Sequence, residues 1–451
     1  MRDASLGPAL RVAVVGSGAA GLAAAWALSQ RHDVVLYEAD ERLGGHANTV
    51  SVQGPKGEIA VDTGFIVYNE PAYPNLVRFL DQLGVATHAS DMSFAVSLGA
   101  GRYEYAGSPL GLFAQTSNLA SPSHWRLISD TLRFFREARA LLAQGQGSGN
   151  LASFLQAGGY SQAFQRRHLL PMAAAIWSAT PGEILAFPLA TFLRFFDNHG
   201  LLQSRDRPQW RTVTGGSRSY VEAVARSLGP ARLRLGSGVA AVRPALDGVS
   251  LVDTAGFDDR FDQVVLACHA DQALALLGKA ALPQQRELLS CFRYSDNRAL
   301  LHSDPALMPR RRRVWSSWNY MARDDQGEGP LSVSYWMNRL QGLDEELPLF
   351  VSLNPLQEPR PELLHGSYSY SHPLFDAAAI GAQSQLSQIQ GLLGLWFCGS
   401  YCGYGFHEDA MQAGFTIATA LGAPPPWHDR ISPRSPAADL VAHAPLSVAA
   451  E

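Results

Sequence analysis

The stretch that decides the fold is Arg11-Val-Ala-Val-Val-Gly-Ser-Gly-Ala-Ala-Gly21. Its first five residues are rich in valine and predict a buried strand, and the alanine-rich sequence that runs on to about Gln30 predicts a helix. Between them, Gly16, Gly18 and Gly21 match the pattern G-x-G-x-x-G. In that pattern glycine permits a tight turn, close approach of a pyrophosphate and close packing of helix on strand, while the helix N-terminus offers free N–H groups to phosphate. The stretch therefore predicts a dinucleotide-binding βαβ unit.

An acidic residue closes the second predicted strand of this unit. That strand spans Val34 to Glu38, and Glu38 follows Gly16 by 22 residues. A carboxylate at this position accepts hydrogen bonds from both ribose hydroxyls and repels the 2′-phosphate of NADP. The pattern fits NAD and FAD equally, so the identity of the dinucleotide depends on other parts of the chain.

The composition is that of an ordinary globular protein. Its 451 residues are enough for two or three structural units. A net charge of -4 offers no general attraction to nucleic acid, so no nucleic-acid partner is expected. Four scattered cysteines predict neither a disulfide framework nor a metal site. Because no stretch approaches about 18 uninterrupted apolar residues, we expect a cytoplasmic protein without a transmembrane helix.

Three separated pieces of the chain carry the strands predicted to form one nucleotide-binding domain: residues 10–70, 215–284 and 386–422. The two long segments between them, 71–214 and 285–385, hold most of the aromatic residues and many arginines. We expect them to form an inserted α+β substrate domain. Residues 423–451 are rich in Pro, Ala and Ser without periodicity and predict a disordered tail. The predicted fold class is therefore α/β, with a Rossmann-type domain and an inserted substrate domain.

The sequence after the second strand carries a resemblance to a known superfamily. Glu38-Ala-Asp-Glu-Arg-Leu-Gly-Gly-His46 resembles the second half of the FAD signature of amine oxidases, carotenoid desaturases and protoporphyrinogen oxidases. In that group a glycine pair, here Gly44 and Gly45, passes under the pyrophosphate, and a basic residue after it neutralises charge. His46 stands where arginine or lysine is usual, which leaves neutralisation to Arg42 or to a protonated His46. The resemblance implies FAD as the cofactor and an FAD-binding domain of the amine oxidase type.

Three further segments resemble parts of the same superfamily that contact the cofactor. Asp62-Thr-Gly-Phe65 resembles the segment beside the isoalloxazine ring, and Val239 stands where backbone groups meet adenine, although an ordinary strand valine is an equal interpretation. Trp396 to Ala410 resembles a strand, glycine turn and helix whose N-terminus stabilises negative charge at N1 and O2 of reduced flavin. Capping of that helix is an equal alternative for Glu408 and Asp409. The residues predicted to bind FAD are Gly16, Ser17, Gly18, Ala20, Gly21, Glu38, Ala39, Arg42, Gly44, Gly45, His46, Thr63, Gly64, Phe65, Val239, Gly399, Ser400, His407, Glu408, Asp409 and Ala410.

Five motifs narrow the resemblance to one bacterial group. Residues 61–69, 208–213, 315–320, 335–338 and 403–409 are similar to FAD-binding amine-oxidase-like proteins associated with cyclopropane and methyl fatty-acid methyltransferases. That group includes the methyl-fatty-acid desaturase of furan fatty acid biosynthesis. The resemblance implies a desaturase or oxidase that introduces a double bond into a methylated unsaturated acyl chain of a phospholipid by hydride transfer to flavin N5. It also implies a fatty-acid methyltransferase as a partner. Molecular oxygen is the expected electron acceptor, because no second nucleotide fingerprint is evident.

Candidate catalytic residues lie beside the motifs predicted to face the flavin. They are Tyr68, Tyr401 and His407, which are titratable or hydroxylic. Aromatic residues of the inserted segments are expected to line an apolar substrate slot, with core packing the simpler interpretation for any one of them: Trp177, Phe195, Phe196, Trp318, Tyr335 and Trp336.

Two other functions stay open. One is an oxidase of a small amine, which is disfavoured because the only lysines, Lys56 and Lys279, lie outside any motif that would place one at the flavin. The other is a non-catalytic flavoprotein partner of the methyltransferase.

Two basic segments leave open a contact with the inner face of the membrane. A helix is predicted from His124 to Gln144, and we expect its stripe of Trp125, Ile128, Leu132, Phe135 and Arg139 to pack on the core. The alternative is a helix lying on a membrane surface. The run Arg310 to Arg313 is interpreted as solvated surface, with phospholipid headgroups as its alternative partner.

Overall fold

The computed structural model describes residues 8–145, 147–177, 179–203, 206–245, 247–324, 329–431 and 435–441. The helices are α1 (Ala19–Leu28), α2 (Pro74–Leu83), α3 (Pro122–Ala143), α4 (Leu151–Ala157), α5 (Gln162–Phe164), α6 (Leu170–Trp177), α7 (Pro181–Ala186), α8 (Leu189–Asn198), α9 (Arg218–Leu228), α10 (Ala270–Leu277), α11 (Pro283–Leu289), α12 (Met337–Gln341), α13 (Ala377–Gln383) and α14 (His407–Ala420), with a π-helix, Gln165–Leu169, between α5 and α6. The strands are β1 (Arg11–Val15), β2 (Asp33–Tyr37), β3 (Thr49–Gly54), β4 (Gly57–Asp62), β5 (Tyr68–Asn69), β6 (Thr87–Ser90), β7 (Phe94–Leu98), β8 (Tyr103–Ala106), β9 (Trp210–Val213), β10 (Leu233–Arg234), β11 (Val239–Ala245), β12 (Gly248–Asp253), β13 (Asp258–Phe261), β14 (Gln263–Leu266), β15 (Arg293–His302), β16 (Trp318–Ala322), β17 (Leu331–Trp336), β18 (Phe350–Leu353), β19 (Leu364–Leu374) and β20 (Leu395–Phe397). In this part of the chain, none of the helices combines the length and the apolar character needed to cross a membrane.

A five-stranded parallel sheet joins strands from all three pieces predicted to carry the nucleotide domain. Its order is β10-β2-β1-β14-β20, so β1 lies at the centre, with Val14 beside Leu36 on one side and Val265 on the other. α1 is buried along its whole length and packs against α14. A helix that is covered on every side is apolar all round, which explains its run of alanines. The predicted Rossmann-type α/β fold is confirmed.

The second large sheet belongs to the segments predicted as the substrate domain. Its order is β19-β15-β18-β17-β16-β7-β8, and its neighbours run antiparallel except for β16 and β7. The helices α3 to α8 form a separate aromatic core beside it, which includes Phe134, Phe164 and Phe192. α2 departs from the predicted division, because its Leu76 and Phe79 pack in the core of the nucleotide domain. The other domain boundaries stay predictions.

The predicted basic helix is present, but it packs through another face. α3 begins at Pro122, and the Ser121 hydroxyl accepts a hydrogen bond from the His124 N–H at 3.3 Å. Leu127, Phe134 and Ala138 are buried, whereas about half of Trp125 and Leu132 is exposed. The expectation is therefore wrong for Trp125 and Leu132, whereas Ile128 and Phe135 are partly buried and do pack against the core.

The C-terminal segment packs on the nucleotide domain where disorder was predicted. Trp427 is 4% exposed, its ring stacks on Trp26 with centroids 5.8 Å apart, and its indole N–H donates to Asn75 Oδ1 at 3.1 Å. The Ser435 hydroxyl donates to Asp409 Oδ1. The prediction of disorder is wrong for residues 423–431 and 435–441, since one large aromatic side chain can fasten a segment that lacks periodicity. Residues 432–434 and 442–451 lie outside the described residues.

Candidate functional site

The glycine-rich turn between β1 and α1 has a different steric reason for each of its glycines. Gly16 has φ +100°, and a Cβ there would lie 2.7 Å from the carbonyl oxygen of Ala267. A Cβ on Gly21 would collide with the carbonyl oxygen of Gly16. Gly18 differs, because a Cβ there would meet nothing within 4 Å and the residue lines a large cavity. The turn thus leaves open space at the helix N-terminus, where the pyrophosphate of a dinucleotide fits.

The acidic residue at the end of β2 is held in place by the same turn. Glu38 accepts hydrogen bonds from the Ser17 N–H at 2.9 Å, from the Ser17 hydroxyl at 2.5 Å and from the Asp40 N–H at 3.0 Å. Glu38 and Asp40 both line the cavity. Oε2 accepts both bonds from Ser17, so Oε1 is the oxygen that keeps a lone pair for a ribose hydroxyl, and the two negative charges disfavour a 2′-phosphate.

The predicted glycine pair lies directly against the turn. The Gly44 N–H donates to both the backbone oxygen and the hydroxyl of Ser17 at 3.1 Å. Gly45 has φ +55° and lines the cavity, whereas Gly44 faces Ala47. Arg42 is exposed and donates to the Gly45 carbonyl at 2.9 Å without lining the cavity. Of this group, only Gly45 can touch the cofactor directly.

His46 cannot supply the positive charge that the resemblance left to it. Burial lowers the pKa of His46 to about 3, and the neighbouring His372, His269, His407 and Arg42 further disfavour a positive charge on its ring. Its ring lies 4.9 Å from Tyr370 and 5.4 Å from that of His372. A protonated His46 is therefore corrected to a neutral one, and the N–H groups at the start of α1 are left to face the pyrophosphate.

The segment Thr63 to Phe65 follows the cavity wall beside His46. The Phe65 N–H donates to the His46 carbonyl at 2.8 Å, and a Cβ on Gly64 would collide with that carbonyl oxygen. Thr63 Oγ1 lies 2.6 Å from the hydroxyl of Tyr370. Thr63, Gly64 and Phe65 all line the cavity, and glycine at position 64 allows this segment to lie against His46.

Two of the three predicted catalytic residues line the cavity, and the third lies away from it. His407 begins α14, stacks on Phe65 with centroids 3.8 Å apart, and holds Nε2 at 2.7 Å from the Tyr220 hydroxyl. Burial lowers the pKa of His407 to about 3. Tyr401 also lines the cavity, and burial raises its pKa well above the usual value. Tyr68 is buried against Tyr73 outside the cavity, so its catalytic role is corrected.

Two acidic residues predicted to face the flavin point into the protein instead. Glu408 accepts hydrogen bonds from the N–H groups of Asn75 at 2.9 Å and Leu76 at 3.1 Å, and therefore caps α2. Asp409 accepts from the Phe406 N–H at 2.9 Å and caps its own helix. Neither residue lines the cavity. The predicted capping of their own helix holds for Asp409, whereas Glu408 caps α2, and the predicted role of both as cofactor ligands is corrected.

The cavity has a volume of about 820 Å³ and gathers most of the predicted cofactor residues. Those that line it are Gly16, Ser17, Gly18, Ala20, Glu38, Ala39, Gly45, His46, Thr63, Gly64, Phe65, Val239, Gly399, Ser400, His407 and Ala410. Those that do not are Gly21, Arg42, Gly44, Glu408 and Asp409. The space available fits an extended dinucleotide that runs from the turn after β1 to the start of α14.

The far half of the cavity is apolar and aromatic. Of the predicted slot residues, Trp177, Phe195, Trp318 and Tyr335 line it, whereas Phe196 and Trp336 do not. Sequence reasoning missed further lining residues: Met92, Phe94, Met172, Ile176, His199, Leu201, Arg207, Trp210, Val351, Leu353, Tyr370, His372, Phe375, Tyr404 and Phe406. Trp210, Tyr404 and Phe406 lie in the quoted motifs 208–213 and 403–409, whereas the others come from separate segments that no motif marks.

Comparisons with known proteins agree with this geometry. A family model described as flavin containing amine oxidoreductase matches residues 19–347. Cyclohexylamine oxidase from Brevibacterium oxydans superposes with a TM-score of 0.66 at 17% identity, covering 92% of this chain and 99% of that one. A fatty acid isomerase from P. acnes that produces CLA superposes with a TM-score of 0.68 at 16% identity, with the same shares of 92% and 99% covered. Putrescine oxidase bound to putrescine gives 0.62 at 16% identity, over 92% of this chain and 100% of that one. No curated protein matches the chain.

Proposed function

The chain belongs to the flavin containing amine oxidoreductase family, and from that premise we propose that it is an FAD-dependent desaturase or oxidase of lipid acyl chains. FAD is its cofactor, and the residues that would hold it are those around Gly18, Glu38, Gly64 and His407. The bound flavin supplies the oxidant, since it can take a hydride from the weakened allylic C–H beside a methylated double bond.

The observation that carries the proposal is the character of the wall beyond the cofactor residues. Its side chains are aromatic and aliphatic, among them Met172, Ile176 and Trp318. In the described part of the cavity wall, Glu38 and Asp40 are the only carboxylates, and both lie at the nucleotide end. An alkyl chain gains about 0.8 kcal/mol for each CH₂ group buried in such a slot, whereas a diamine finds no carboxylate for its distal charge.

One positive charge supports an anionic end on the acyl substrate. Arg207 is the only arginine or lysine on the described cavity wall, and it is exposed to solvent at the same time. Its Nε donates to the Gln203 carbonyl at 2.7 Å, it makes no ion pair among the described residues, and desolvation lowers its pKa. A guanidinium at the edge of an apolar cavity suits a carboxylate or phosphate. The arrangement favours a lipid whose chain enters the slot and whose head stays near Arg207.

Two side chains have complementary proton states for the second half of the oxidation. Formation of a double bond removes a hydride from one carbon and a proton from another. Burial lowers the pKa of His407 to about 3, so its neutral ring can take that proton only in passing and water is the final acceptor. Burial holds Tyr401 protonated, so its hydroxyl does not serve as the base. The apolar walls hold the chain and exclude bulk water from the reacting carbons.

The electron acceptor and the supply of substrate complete the proposal. Molecular oxygen is the acceptor, which predicts that consumption of oxygen follows consumption of lipid in an oxygen-electrode assay. A methyltransferase acting on unsaturated lipid chains would make the methylated substrate, as the resemblance of the five motifs implies. Its association with this chain would be measured by co-purification of the two proteins.

The test is anaerobic mixing of the holoprotein with phospholipids that bear methylated, mono-unsaturated chains. Loss of the oxidised flavin absorbance, with an acyl product two hydrogens lighter, would support the desaturase. No bleaching by lipid, with the flavin still reducible by dithionite, would contradict it. Bleaching by a panel of small amines would then favour amine oxidation, and no bleaching by either would favour a non-catalytic flavoprotein.

Two tryptophans provide a matched pair of variants for the slot. Trp318 lines the cavity and Trp336 does not, although both belong to the same sheet. We expect Trp318→Ala to change the way in which the rate of flavin bleaching depends on the length of the acyl chain, while the FAD content is retained. Trp336→Ala should leave that dependence unchanged, and equal effects of the two variants would contradict the assignment of the slot.

A further inference from the structure

A cluster of exposed apolar side chains lies on the outside of the substrate domain. Leu110 is 90% exposed, Leu119 54%, Trp125 50% and Leu132 55%. They make up four of the eight large hydrophobic side chains that are exposed in the described residues. Isolated exposed leucines are common on protein surfaces, but a cluster of them marks a contact surface. These four residues are called the apolar tip below.

The apolar tip is held together by contacts within one short segment. The Trp125 indole N–H donates to the Leu119 carbonyl at 2.9 Å, and the Trp125 ring lies 5.1 Å from that of Phe113. The Phe113 N–H in turn donates to the Leu110 carbonyl at 3.3 Å. Leu132 follows Trp125 by two turns on the exposed side of α3, whose opposite side is buried. The fold therefore presents these side chains to solvent in fixed positions.

Unpaired arginines surround the apolar tip. Arg136 and Arg139 continue the exposed side of α3 beyond Leu132. Residues 310–313 contact the turn before β8, because Arg311 donates a hydrogen bond to the Gly101 carbonyl at 2.7 Å. The exposed arginines without an ion pair among the described residues are called the basic rim: Arg136, Arg139, Arg310, Arg312 and Arg313.

The carboxylates of the same region already have partners. Glu104 is buried and pairs with Arg311 at 2.8 Å. Asp130 pairs with Arg126 at 3.3 Å and with Arg133 at 3.2 Å. The surface around the apolar tip is therefore positive, although the whole chain carries a net charge of -4.

Short connections join this surface to the edge of the cavity. His124, at the start of α3, lies 2.7 Å through Nδ1 from the Tyr103 hydroxyl, and the neighbouring Tyr105 hydroxyl lies 2.9 Å from His168 Nδ1. Burial, and then the charge of Arg207, lower the pKa of His168 to about 4. Arg207 lines the cavity, so close contacts and this electrostatic influence lead from the start of α3 towards the cavity edge.

We propose that the apolar tip and basic rim dock this protein on an anionic phospholipid bilayer. Leucine and tryptophan side chains insert at the level of the headgroups, while arginines meet lipid phosphates, as in proteins that bind membranes peripherally. The proposal rests on the proposed function, because docking in this orientation brings the cavity edge at Arg207 towards the lipids. An anionic bilayer matches this surface because the surface combines apolar side chains with positive charges that have no ion-pair partner among the described residues.

The test is co-sedimentation of the holoprotein with vesicles of phosphatidylglycerol and phosphatidylcholine. We expect binding that weakens when phosphatidylglycerol is left out or when salt is raised. Leu110→Ser with Leu132→Ser should lower the affinity at least about tenfold, and so should Arg312→Gln with Arg313→Gln. The matched control is Leu235→Ser with Phe257→Ser, which removes two exposed hydrophobic residues elsewhere and should leave binding unchanged.

Three results would overturn the docking proposal. They are absence of vesicle binding by the unaltered protein, equal loss in the control, and a dimer in sedimentation velocity that the apolar-tip variant abolishes without a change in vesicle binding. Docking and the proposed function are tested separately by measuring flavin bleaching with phospholipids that bear methylated, mono-unsaturated chains, presented in detergent micelles. Bleaching in micelles without binding to vesicles would contradict the docking proposal alone. Binding to vesicles without bleaching would contradict the proposed function alone.

Discussion

The histidines that line the cavity are neutral, and this decides how the cofactor charge is balanced. Burial is the main cause that lowers the pKa to about 3 for His46 and His407 and to about 4 for His372. None of the three titrates near neutral pH, so the pyrophosphate depends on backbone N–H groups and on the dipole of α1. Small changes in backbone conformation near Gly18 should therefore lower the affinity for FAD more than changes of side-chain charge do.

The first prediction compares two glycines of the turn. Gly18→Ala should give a folded protein with at least about tenfold weaker FAD binding, because its methyl group enters open space that the pyrophosphate needs. Gly21→Ala should instead destabilise the fold, because its Cβ collides with the Gly16 carbonyl. Titration of the apoprotein with FAD, together with circular dichroism melting, measures both effects. Normal FAD affinity in Gly18→Ala would contradict the placement of the cofactor.

The second prediction concerns the charge at the cavity edge. Arg207→Gln should raise KM for an anionic acyl lipid about tenfold with little change in kcat, because the guanidinium binds the head and does not touch the reacting carbons. Arg207→Lys should retain part of the affinity. Steady-state kinetics with the neutral methyl ester of the same chain is the control, and an equal rise in KM for the ester would contradict the role of Arg207.

At the scale of elements, α14 reaches across the nucleotide domain to the start of α2. Its Glu408 accepts hydrogen bonds from two backbone N–H groups of α2 and from the side chain of Asn75 at 2.8 Å. Burial raises the pKa of Glu408 to about 8, with the hydrogen bonds from Asn75 and Leu76 opposing that rise. The contact between the two helices thus depends on a carboxyl group whose ionisation is linked to folding.

The third prediction is a fall in stability as pH rises from about 4.5 to 8. A carboxyl whose pKa is raised on folding adds stability that is complete below its unfolded pKa near 4.5 and is lost as pH rises through about 8. The free energy of unfolding of the holoprotein should therefore fall by the order of a few kcal/mol between pH 4.5 and 8 from this group alone. Glu408→Gln should flatten the profile from pH 6 to 9, whereas exposed Glu222→Gln should not. Parallel urea-unfolding profiles of both variants would contradict this account.

Local patterns predicted some elements better than others. The strand at 11–15 matches β1, and the helix expected to about Gln30 ends at Leu28, because both are set by the glycine turn between them. α3 has two apolar stripes, each spaced by seven residues: Trp125 and Leu132, and Leu127 and Phe134. Periodicity gives no reason to prefer one stripe, and only contact with the aromatic core of α4 to α8 decides which is buried.

At the scale of the whole molecule, the cavity lies where the two domains meet. Its nucleotide end was predictable, since each contributing segment carries a glycine or acidic signature near a strand end. Its apolar end joins Met172, Arg207, His372 and Phe406 from four separate parts of the chain. Such residues become neighbours only through the packing of the seven-stranded sheet on the helices, which no local pattern encodes.

The fourth prediction concerns the C-terminal segment that closes on the nucleotide domain. Trp427→Ala should lower the free energy of unfolding by about 3 to 5 kcal/mol, because it empties a buried site between α1 and α2. Phe257→Ala, at a position that is 62% exposed, should change it by no more than about 0.5 kcal/mol. Urea unfolding of both variants makes the comparison, and equal stabilities would contradict the packing of this segment.

The order of strands in the parallel sheet also has a consequence for biosynthesis. β1 stands at its centre and is made before the other four strands of the sheet, which is complete only when β20 pairs with β14. Gly399 and His407 follow β20 and finish the cavity wall. A nascent chain therefore cannot capture the flavin while most of it is still being translated, and ribosomal stalling before residue 407 would yield colourless polypeptide.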